Sequence, residues 1–106
     1  MLVVAAIFEL HIEFAQSLKD KRMVVKSLRD KLRSRFEISA AEVGLQDVHQ
    51  RARIGIAFVT LEHAAAVAQL ERIVNFIESN TDAVLAGWTS EKLDFDETTP
   101  LGSELH

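Results

Sequence analysis

A chain of 106 residues with 48% hydrophobic and 26% charged content has the make-up of one globular domain and excludes a fully disordered polymer. It holds no cysteine, which excludes disulfides, thiol nucleophiles and thiolate zinc sites and fits a reducing compartment, the cytoplasm. The net charge of −4 hides a segregation: eight of the 12 basic residues lie in residues 19–35, opposed there only by Asp20 and Asp30.

The N-terminal apolar run is interrupted by Glu9 and has no preceding basic region, so it reads as a strand and not as a signal peptide. Leu2, Val4, Ala6, Phe8, Leu10 and Ile12 share one parity, while Glu9, His11 and Glu13 share the other, which predicts a first strand with one face buried throughout. Ser17 with Asp20 three residues on forms a capping-box pattern, and Val25, Leu28, Leu32 and Phe36 then recur at helical spacing. The spacing predicts a helix over 18–35. A weaker extended stretch follows near 37–44, a polar turn at 46–50, and a clear third strand in which Ile54, Ile56 and Phe58 alternate with Gly55, Ala57 and Val59. Ala66, Val67, Leu70, Ile73, Val74 and Ile77 mark the apolar side of a second helix that Asn80 ends, and 83–89 supplies a fourth strand containing the only tryptophan.

The order strand, helix, strand, strand, helix, strand predicts an α+β, ferredoxin-like domain over 1–90, with a four-stranded antiparallel sheet and both helices on one face. Residues 91–106, rich in acids, read as a mobile C-terminal tail able to compete for the basic helix.

The run Ser17-Leu18-Lys19-Asp20-Lys21-Arg22, continued by Val24, Val25, Lys26, Ser27 and Leu28, resembles the YlxP-like family of small bacterial proteins, a domain of unknown function. Arg35-Phe36, Ala41-Glu42-Val43, Gln46-Asp47 and Gln50-Arg51-Ala52 carry the same likeness in the same order, and together they cover roughly residues 2–90. His49 stands where the family pattern usually has tryptophan, and Glu37 where it usually has asparagine. The resemblance implies a ferredoxin-like fold, a bacterial cytoplasmic setting, and genes often neighbouring those for translation initiation factor two and ribosome-binding factor A. It implies no catalytic residues.

On the first helix, Lys19, Arg22, Lys26, Arg29 and Arg33 fall on one stripe at 100° per residue, a row about 21 Å long. With Lys21, which sits in the first turns, these are the candidate nucleic-acid-binding residues. A row of cations with few interleaved acids suits a polyanion, since each phosphate paired releases counterions. The family's gene neighbourhood tilts that polyanion towards ribosomal RNA in the small subunit or its precursor. The expected function is therefore non-enzymatic RNA or ribosome association, in ribosome maturation or translation. The alternatives are a module docking an acidic protein, or a small hydrolase or ligand-binding enzyme at the second hairpin, where Glu42, Asp47, His49 and Arg51 gather.

No catalytic residue, metal site or cofactor is expected. Glu9, His11 and Glu13 spread too far along one strand to converge on a metal, and the hairpin offers no nucleophile or glycine-rich loop. The 53–59 run faintly resembles an RNA-recognition-motif strand, but Phe58 shares parity with the core residues, so base stacking on the sheet is not expected. The other face, with Val3, Ala5, Ile7, Gly55 and Ala57, is smooth and apolar, and a homodimer through it is expected.

Overall fold

The computed structural model describes residues 1–102. Its elements are β1 (Leu2–His11), α1 (Leu18–Arg35), β2 (Ser39–Gly44), β3 (Arg51–Thr60), α2 (His63–Ser79) and β4 (Val84–Asp94). The strands form one antiparallel sheet in the order β2-β3-β1-β4, the ferredoxin-like arrangement expected from the element order.

Alternation decides which face is covered. In β1 the residues Leu2, Val4, Ala6, Phe8 and Leu10 are buried, as is Ile12 just beyond the strand; in β3 it is Ala52, Ile54, Ile56 and Phe58. These face Val25, Leu28 and Leu32 of α1 and Ala66, Leu70, Ile73 and Ile77 of α2, which close one continuous core. Two aromatic pairs extend it. Phe8 stacks on Trp88 at the β4 edge, with ring centroids 5.7 Å apart, and Phe36 meets Phe76 edge-on at 5.5 Å, joining the end of α1 to α2. Phe8 has no exposure on the central strand. Phe8→Ala is expected to lower unfolding free energy by about 3–5 kcal/mol in urea titration, and a loss under about 1 kcal/mol would refute this account of the core.

The start of α1 is capped from both directions. Ser17 Oγ accepts from the Asp20 N–H at 3.1 Å, and Asp20 Oδ2 accepts from the Gln16 N–H at 3.0 Å. The carboxylate thus reaches one residue further back than in the usual capping box. It also supplies the negative charge that the positive helix end favours, so a phosphate is not needed there to offset the early lysines.

One boundary changes the reading of the C-terminal segment. Strand β4 runs to Asp94, five residues past the predicted limit, and Phe95 N–H still donates to Met1 O at 2.8 Å. Glu91, Lys92 and Asp94 are therefore parts of the sheet and not of an acidic tail. Pairing with the ten residues of β1 extends the strand despite its polar composition, because ladder bonds do not depend on side-chain type. Residues 96–102 leave the sheet, with Leu101 96% exposed, and the last part of the predicted tail, residues 103–106, lies outside the described residues.

Candidate nucleic-acid interface

Helix α1 lies against β2 and β3, and two of its basic side chains fix its rotation. Lys21 is fully buried, donating hydrogen bonds to Leu45 O at 2.8 Å and Gln46 O at 3.1 Å. Its Nζ also stands 3.1 Å from Glu42 Oε2, a buried oxygen that accepts no hydrogen bond and whose charge Lys21 balances. Arg33, three turns later, donates to Ala40 O at 2.6 Å. Both contacts fall on β2 or the turn after it, so the row containing Arg22, Lys26, Arg29 and Arg33 runs beside the outer edge of β2, a terminal strand of the sheet.

Lys21 is therefore removed from the candidate surface. It sits one residue out of step with the stripe, in line with buried Val25, Leu28 and Leu32, and the ammonium is tolerated in that line because two carbonyls and a carboxylate replace its water. The Leu45 carbonyl that it holds belongs to a residue with φ of 59°, the left-handed region that a leucine adopts only at a cost of about 1–2 kcal/mol. Lys21 thus pins a strained turn to a helix.

The other five candidates keep their charge at the surface. Lys19 and Arg22 are exposed, and neither contacts a carboxylate among the described residues. Lys26, 70% exposed, and Arg29, 30% exposed, both meet Asp30, at 3.2 and 3.3 Å. These two cations hold the Asp30 carboxyl below its ordinary range, Lys26 through a hydrogen bond foremost. Arg33 does not reach Asp30, since the Ala40 carbonyl takes it instead, and the guanidinium has donors to spare. Lys31 and Arg35 are exposed as well, Lys31 on the opposite flank beside Met23 and Ser27.

A second charged group, missed by the sequence reading, lies on the open face of the sheet. Glu9 Oε2 accepts from Arg51 at 2.9 Å and lies 3.1 Å from His11 Nε2, while Oε1 accepts from Arg53 Nε at 3.0 Å. These contacts, Arg51 first and then Arg53, pull the Glu9 carboxyl down to about 2. The available signal was parity: Glu9, His11, Arg51 and Arg53 all point outward, and the β1–β3 register sets Glu9 opposite Arg53 and His11 opposite Arg51. Glu13 takes no part in this group.

The depressed Glu9 carboxyl makes stability depend on acid. Because its folded pKa lies below the ordinary value of 4.5, its contribution is complete above that value and is lost as pH falls towards about 2. Thermal melts from pH 6 to pH 2 should show a shallower acid decline for Glu9→Gln than for the parent, and parallel declines would remove the assignment.

The hairpin residues divide between two faces. Glu42 is opposite inward-facing Ile54 and pairs with Lys21, Arg51 points outward to Glu9, and Asp47 and His49 are exposed in the turn. The open-face positions of β1 and β3 carry no phenylalanine, tyrosine or tryptophan, since Phe8 and Phe58 both face the helices. Among the described residues no helix is long and apolar enough to cross a membrane.

The architecture is thus that of a small ferredoxin-like α+β protein with one basic helix beside a sheet edge. The chain belongs to the family described as a protein of unknown function (DUF503), whose model matches residues 3–89. It is similar to the uncharacterized protein YlxP of Bacillus subtilis (strain 168), 38% identical over 65 residues, which are 61% of this chain and 71% of that protein.

Proposed function

We propose that this protein binds a structured RNA through the α1 surface beside β2, working without catalysis in the bacterial cytoplasm, with ribosomal RNA as the partner. The observation that supports the reading best is the surface row Lys19, Arg22, Lys26, half-buried Arg29 and Arg33 on a chain whose net charge is −4. A folded protein gains nothing in stability from gathering cations on one helix flank with a single aspartate among them, because like charges at i and i+4 repel. A ligand that brings negative charge in regular steps turns that repulsion into attraction. The edge of β2 adds main-chain groups to the same surface, and phosphate contacts from such groups position a protein without reading sequence. Ribosomal RNA offers phosphates in a fixed three-dimensional array that suits this mode of binding.

The experiment is a salt series on affinity for ribosomal RNA fragments. Five phosphate contacts predict a slope of log affinity against log salt of about −3.5 on single strands and about −4.5 on duplex. A slope near zero would overturn RNA binding. Tight, weakly salt-dependent capture of an acidic protein would instead favour the protein-docking reading.

A further inference from the structure

The open face of the sheet is apolar at its centre and charged at two of its corners. Ile7 is 40% exposed, and beside it Ala5, Ala57 and Gly55 form a shallow apolar depression bordered by Val43, whose side chain lies over Gly55. Val59, at 62%, and Leu93, at 56%, continue the apolar area towards one end. The described part of the C-terminal segment does not cover it, as residues 96–102 are exposed and Leu101 is almost wholly in solvent.

The two corners carry opposite charge, and their positions are related. Ile7 pairs with Thr89 on β4 and Gly55 on β3. Glu91 pairs with Ala5, so it lies one strand from Ile7 on the β4 side and one outward-facing step towards the Val3 end. Arg53 pairs with Glu9, one strand away on the β3 side and one step towards the His11 end. Each is displaced from Ile7 by about 4.8 Å across the strands and about 6.8 Å along them, in opposite directions. Among the described residues Glu91 pairs with no cation, whereas Arg53 spends only its Nε on Glu9 and keeps its terminal nitrogens free.

We infer that a second copy of this chain covers the open face, packed sheet against sheet about a two-fold axis passing through Ile7, with Glu91 on the partner subunit's Arg53 and Arg53 on the partner subunit's Glu91. An axis lying between the sheets, perpendicular to the line from Glu91 to Arg53, superposes each charge on its opposite and sets Ile7 against its own counterpart. It makes the two sets of strands cross at roughly 70°, close to the orthogonal class of sheet packing. Facing sheets sit about 10 Å apart, a span that a glutamate and an arginine bridge together. Such an interface is self-complementary, as a two-fold contact must be. It leaves both α1 helices on the outside of the dimer, so it neither requires nor blocks the RNA surface.

Light scattering on the full chain tests it, with circular dichroism as the check on folding. The parent is expected to be dimeric, Glu91→Arg and Arg53→Glu each to weaken dimerisation by about tenfold or more, and the double reversal to restore it. Ala5→Glu, which forces an unpaired charge into the dry centre, should give monomer. Because the chain has no native cysteine, Ile7→Cys treated with a short bismaleimide should yield covalent dimer in high amount, while Lys31→Cys on α1 should not. A parent that is monomeric from micromolar to millimolar concentration overturns the inference, and so does equal crosslinking from the two cysteine variants. A folded double reversal that stays monomeric overturns the Glu91–Arg53 axis.

Discussion

Lys21→Met is expected to destabilise the fold by about 3 kcal/mol, while Arg22→Met, one residue later, changes stability by under about 0.5 kcal/mol. The first substitution leaves the carbonyls of Leu45 and Gln46 without their donor and the buried oxygen of Glu42 without a counter-charge. Removing one member of a buried pair ordinarily costs about 3–5 kcal/mol, and the 19% exposure of the Glu42 side chain puts this site at the lower end. The second substitution removes a side chain already in water. Adding Glu42→Leu to Lys21→Met should recover much of the loss, because an apolar pair carries no uncompensated charge into the interior. Urea titration of the four proteins decides the matter. Equal losses for Lys21→Met and Arg22→Met would mean that the lysine is not a structural tie.

The contrast matters for the second large effect, the loss of RNA association. Substituting Arg22, Lys26 and Arg29 together with glutamine should flatten the salt slope by about 2–3 and abolish detectable binding at physiological ionic strength. Arg33 is left in place because it also holds the Ala40 carbonyl, and Lys21 because its loss would destabilise the fold and confound a binding measurement. The triple variant should melt close to the parent, since Asp30 loses two exposed partners whose pairs are individually worth little. If it remains folded and associates with ribosomal particles as tightly as the parent, the proposed surface is wrong.

How far the sequence spoke differs from element to element, and the reasons are physical. Helix α1 was legible to the residue, since Ser17 caps one end and the 3.6-residue period of Val25, Leu28 and Leu32 runs unbroken. The inward parity of β1 and β3 was equally plain. The end of β4 was not, because Glu91, Lys92 and Asp94 look like a solvated tail until β1 is seen to pair with them. Lys21 was read as one more cation for the same reason: residue type gives its charge, whereas only the partners brought by β2 and the Leu45 turn explain how that charge is buried. The Glu9 group required a register as well as a parity, and register is a property of two strands.

Arg33 has a consequence for the protein's behaviour at high concentration. Strand β2 ends the sheet on one side, and an outer strand with free carbonyls and amides invites a foreign strand to add to it. The guanidinium at 2.6 Å from Ala40 O occupies one of those acceptors and places a fixed positive charge in the path of any approaching backbone. A charged side chain at such a place is a recognised means of blunting a sheet edge, and β2, at six residues, is also the shortest strand of the sheet.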